Sequence, residues 1–224
     1  MSDFAHLIGK NVDVEISGKN YCNGILVDAG LDIIVVYNNI ASSFYYIPVV
    51  HIQRLKETRI EETLGFGPPP EKPIESDSHS ISFRKILTNA KGQFVQIYVT
   101  GNKSIHGYLT SIMNDYFVFY SPVYKTLFIS MDHVKWLIPY EQDATPYSLS
   151  NQHLPVNPIS VPLARTFEEQ CKKLENQIIV IDGGNNSEKI GLLHKVDNNR
   201  LSLITAERET VYWSLQHVKT VHLP

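Results

Sequence analysis

The chain has 224 residues, enough for one large domain or two or three small ones, with 43% apolar and 19% charged side chains. A formal net charge of −3 provides no overall attraction to nucleic acid or an anionic membrane. Two cysteines far apart, Cys22 and Cys171, do not make a disulfide framework, and no apolar run is long enough to span a bilayer.

The start, Met1-Ser2-Asp3-Phe4-Ala5-His6, lacks a basic segment followed by an apolar one, so no signal peptide is expected. Synthesis in the reducing cytoplasm follows. The 12 Tyr and 9 Phe, together with abundant Val and Ile, favour strands, because such side chains pack well on a pleated surface.

Three landmarks recur along the chain. The first is a glycine before apolar residues: Gly24-Ile25-Leu26, Gly107-Tyr108-Leu109 and Gly191-Leu192-Leu193. The second is a short run: Ile33-Ile34-Val35-Val36, Tyr116-Phe117-Val118-Phe119 and Arg200-Leu201-Ser202-Leu203. The third runs from Tyr46 to Ile52, from Phe128 to Val134 and from Tyr212 to Val218, each with a histidine next to last: His51, His133 and His217. The distance from glycine to histidine is 27, 26 and 26 residues. The chain is a tandem repeat.

Each copy reads as a short helix and five strands. The helix is clearest in Phe83-Arg84-Lys85-Ile86-Leu87 and from Phe167 to Leu174. Strand one is read as alternating, from Phe94 to Val99 and from Ile178 to Ile181. Glycine-bearing turns at Gly18, Gly101 and Gly183-Gly184 then reverse the chain. This mainly β layout is that of three tandem Sm-like or SH3-like five-stranded barrels, each with a short N-terminal helix. The expected boundaries are 1–57, 81–140 and 163–224 for the barrels. A Pro/Gly/Ser-rich linker at 58–80 and a Pro-rich linker at 141–162 separate them.

Candidate chemistry is sparse. The three histidines invite a metal site, but none has a Cys, Asp or Glu at the same place in all copies, so each is read as a structural turn residue and no metal is expected. No catalytic or phosphate-binding spacing is present, and neither catalysis nor a cofactor is expected. Gly24, Gly107 and Gly191 join the histidines as repeat-defining structural residues. Residues 84–140 carry six Lys or Arg against two acids, net +4. Lys103, Tyr116, Tyr120, Tyr124 and Lys125 form a candidate interaction surface there, since basic residues interleaved with aromatics suit a single strand of RNA. A tandem Sm-like RNA-binding or regulatory protein in the cytoplasm is therefore the alternative reading.

The stretch from Ile178 through the Gly183-Gly184 turn to Leu193, closing with Tyr212-Trp213-Ser214-Leu215-Gln216-His217-Val218-Lys219, resembles the repeat of the spore coat protein B family of endospore-forming bacteria. His133-Val134-Lys135 matches the same close, and His51-Ile52-Gln53 is a weaker version. The resemblance implies a structural coat component, made in the mother cell and deposited on the forespore through contacts with other coat proteins and with itself. The Ser/Lys/Arg-rich tail of the larger family members is not seen after the third copy.

Overall fold

The computed structural model describes residues 3–18, 20–58, 67–74, 81–100, 103–141, 144–149 and 162–224. Three sets of five strands follow one another. The first comprises β1 (Asn11–Ile16), β2 (Asn20–Ala29), β3 (Ile33–Asn38), β4 (Ser43–Pro48) and β5 (Ile52–Glu57). Helix α1 (Phe83–Asn89) precedes β6 (Phe94–Thr100), β7 (Lys103–Ile112), β8 (Tyr116–Ser121), β9 (Lys125–Ser130) and β10 (Trp136–Pro139). Helix α2 (Phe167–Lys172) precedes β11 (Ile178–Ile181), β12 (Ile190–Asp197), β13 (Arg200–Ile204), β14 (Thr210–Ser214) and β15 (Thr220–His222). The first repeat has a single 3-10 turn, Ala5–Leu7, in place of the helix.

The repeat glycines sit on the second strand of each set, where that strand passes closest to the third. A Cβ on Gly24 would lie 2.0 Å from the Tyr37 carbonyl oxygen, one on Gly107 1.9 Å from that of Tyr120, and one on Gly191 2.5 Å from that of Ile204. Just beyond each glycine the ladder to the third strand slips by a bulge, at Leu26/Asp28, Leu109/Ser111 and Leu193/Lys195. A bulge bends and twists its strand. A side-chain-free contact followed by a bulge is what curls each set around its apolar face.

The chain forms two compact units, residues 1–98 with 134–144, and 99–133 with 145–224. In the first unit the strand order is β6-β10-β4-β3-β2-β1-β5, and in the second it is β14-β13-β12-β11-β15-β9-β8-β7. The expected three tandem five-stranded barrels are not seen as such: in each unit the strands form an open, antiparallel array. The place beside strand four, which a closing fifth strand of the same repeat could take, belongs to strand five of the next repeat: β10 pairs with β4, and β15 with β9. The 3-10 turns Val49–His51 and Met131–His133 carry the chain from strand four to strand five.

Each unit has its own core. That of the first gathers Val12, Val14, Leu26, Ile34, Val36 and Ile47 from the first repeat, with Trp136 of the second packed against them. That of the second unit joins Tyr116, Val118 and Phe128 to Phe167, Cys171, Leu174, Leu201 and Val221. Part of the expected first linker is also packed. Ile74 is fully buried, its N–H and carbonyl facing the Tyr46 hydroxyl, and Lys72 forms an ion pair with Asp28 of β2. The rest of the two linkers lies largely outside the described residues.

Candidate assembly surface

The surface this chain uses most is the one between its own repeats, and it is built the same way twice. The edge of strand four in one repeat receives the fifth strand of the next, and the turn before strand three receives the start of its helix. In the first unit, Asp32 Oδ1, just before β3, accepts the N–H of Phe83 at 3.0 Å. In the second, Asp115 Oδ1, just before β8, accepts the N–H of Phe167 at 2.8 Å. These N–H groups belong to the first helical turn and have no partner within the helix. Ser82 and Thr166 accept further N–H groups, from Lys85 and Glu169, as N-caps. The turn of one repeat thus completes the helix start of the next.

Strand pairing finishes the junction. Tyr46 stands opposite Leu137 in the first unit, and Phe128 opposite Val221 in the second. Trp136 stacks on Tyr98 at 4.3 Å with rings 10° apart, and Lys135 Nζ donates to the Ser17 carbonyl at 2.6 Å. Tyr116, inside the second junction, donates its hydroxyl to the Ala164 carbonyl at 2.8 Å and contacts Gln170 Oε1 at 3.0 Å. Burial pushes the Tyr116 hydroxyl up to about 12.

The three repeat histidines end equivalent 3-10 turns. His133 Nε2 donates to the Gln216 carbonyl at 2.8 Å, tying the turn of the second repeat to that of the third. His51 Nδ1 lies 3.4 Å from Ser17 Oγ. Among the described residues no cluster of His, Cys, Asp or Glu has the makings of a metal site.

The surface expected around the second repeat does not assemble. Tyr116 is fully buried and Tyr120 nearly so, packed on Tyr108 with ring centroids 5.4 Å apart. Tyr124 packs edge-on against His222, and Lys125 is exposed but turns back to donate to the Pro122 carbonyl. Lys103 opens β7. Tyr116 and Tyr120 are thus core residues, because β8 is buried on both faces, while Tyr124 lies beyond β8 and is half-buried.

Little reactive chemistry is exposed elsewhere. Cys22 and Cys171 are buried, and burial raises both thiols to about 12. Asp182, ahead of the two glycines, accepts Lys189 Nζ and the N–H groups of Lys219 and Thr220, so this turn is a structural node. A cleft of about 780 Å³ in the first unit is lined by Phe44, Glu71, Lys72, Gln96, Tyr140 and Glu141.

These features define a tandem-repeat β protein whose repeats are joined by strand addition and helix capping. Residues 166–221 match the family model of the YwrJ third domain. Over its whole length the chain is similar to a Bacillus subtilis (strain 168) protein described as Uncharacterized protein YwrJ, 45% identical over 227 residues and covering 100% of both chains. The chain belongs to the YwrJ family. It is also similar to Spore coat protein B of the same strain, 24% identical over 144 residues, which are 64% of this chain and 36% of that protein. The resemblance to the coat protein B family is therefore partial.

Proposed function

We propose that this chain is a non-enzymatic assembly module of the bacterial spore coat. The observation that carries this reading is the similarity to Spore coat protein B over 64% of the chain. The architecture supports it. Its best-built surfaces bind other repeats by strand pairing, and linked modules of that kind gain contacts through effective concentration. The coat is the expected location, reached from the mother-cell cytoplasm, and other coat proteins are the expected partners. No helix among the described residues is long and apolar enough to cross a membrane.

A fluorescently tagged copy, followed through sporulation, tests the reading. The signal is expected to gather on the forespore surface late in development. A uniform signal in growing cells, unchanged through sporulation, overturns it.

A further inference from the structure

We infer that two copies of this chain pair head to tail, with β14 of one copy laid against β5 of the next. The reason is that the chain contains both halves of its own internal junction a third time, at opposite ends of the repeat series. Among the described residues β14 pairs only with β13, and β5 only with β1. Strand four of the first two repeats is covered by strand five of the following repeat. Among the described residues no strand covers β14 of the third repeat or the free edge of β5 in the first.

The register follows from the two junctions already made. Tyr46 pairs with Leu137 and Phe128 with Val221, at equivalent positions of the repeats. The third equivalent of the first partner is Tyr212, and the remaining equivalent of the second is Leu55. Tyr46 and Phe128 are 0% and 2% exposed, whereas Tyr212 is 72% exposed. An aromatic at the junction position, left in solvent only where the next strand is missing, marks a surface built to be covered. The same register sets Trp213 opposite Arg54, whose guanidinium is held by Asp13 and Glu15 of its own copy while Lys189 lies over the indole. It also sets His217 toward the Val50 carbonyl of the other copy, as His133 is set on Gln216. His217 is exposed and so is Val50, at 77%.

The contact is weaker than the internal ones. Arg200 and Ser202 stand where the earlier repeats have Ile33 and Val35, or Tyr116 and Val118. Arg54 and Lys56 place charge on β5, a device that keeps sheet edges apart when dilute. Pairing is therefore reversible and concentration-dependent, as suits a subunit that assembles only where it is gathered. Because the two surfaces differ, each copy offers one of each, and association either closes on itself or propagates.

The inference rests on the reading of the chain as an assembly module, but the two can fail separately. Sedimentation of the full chain from ~1 µM to ~1 mM spans the affinities at which weak pairing shows. Masses rising in multiples of 25.5 kDa are expected. Tyr212→Arg changes an exposed side chain and Leu55→Arg a half-buried one at the margin of the first core; each should abolish the rise, with the fold checked by circular dichroism. An equimolar mixture should form a one-to-one dimer, since each variant keeps one competent edge. A constant monomer mass for the unmodified chain, assembly unaffected by either variant, or a mixture that stays monomeric each overturns the pairing. If pairing is found without forespore localisation, the coat reading alone fails; localisation without pairing overturns only the head-to-tail contact.

Discussion

Asp115 Oδ1 accepts the backbone N–H of Phe167 at 2.8 Å, so a turn in the second repeat fixes the start of the helix that opens the third. The carboxylate serves a donor that the helix itself leaves without a partner, and its negative charge suits the positive end of the helix dipole. Asp115→Ala is expected to lower stability by about 1–2 kcal/mol. Asp115→Asn keeps an accepting oxygen and should cost less than half of that. Urea midpoints of the two variants decide the matter.

The close glycines give a sharper contrast. Gly107→Ala drives a Cβ to within 1.9 Å of the Tyr120 carbonyl oxygen, which belongs to backbone and cannot swing away. A loss of more than about 3 kcal/mol is expected. Gly92 has φ +81 with open space around it, so Gly92→Ala should cost only about 1 kcal/mol through backbone strain. Thermal unfolding of the two variants side by side separates steric exclusion from conformational preference.

Thiol reactivity should report the core directly. A thiol raised to about 12 by burial is almost wholly protonated at pH 8, and the thiolate is the reactive form. Native protein is therefore expected to react negligibly with a disulfide reagent over minutes. In denaturant both Cys22 and Cys171 should react at once. Rapid reaction of either in the native chain would contradict the packing described for that unit.

The raised pKa values also set the alkaline limit of the fold. An acidic group whose folded pKa lies above its unfolded value binds its proton more tightly when folded. Its stabilising effect is complete below the unfolded pKa and is lost as pH rises through the folded one. For Cys22 and Cys171 that window runs from 9.0 to about 12, and for Tyr116 from 10.0 to about 12. Stability measured by urea titration should fall progressively across this range. Tyr116→Phe should lose about 1–2 kcal/mol at pH 7, because Gln170 and the Ala164 carbonyl lose a partner, yet show a shallower alkaline decline.

Much of the local architecture was legible before any coordinates. Gly24, Gly107 and Gly191 recur because only a residue without Cβ fits the approach to the neighbouring carbonyl, and such a constraint leaves its mark on residue type. The helices at Phe83 and Phe167 were visible because capping and apolar spacing are local. The expected surface around Tyr116 and Tyr120 is core in the structure for an equally physical reason. An apolar run looks the same whether one face or both are covered, and the cover for Tyr116 comes from residues around Ala164 and Gln170, some 50 positions away.

The sequence by itself determined that there are three related sets of strands and where the chain turns, since these follow from propensity, spacing and sterics within a few residues. Only the tertiary structure decided that strand five of one repeat completes strand four of the one before it. That choice depends on which backbone edge lies within hydrogen-bonding reach once the strands have curled, and a ladder of N–H and C=O groups carries no signature in the side chains. Tyr46, Phe128 and Tyr212 are alike in sequence, and only the structure separates the two covered aromatics from the exposed one.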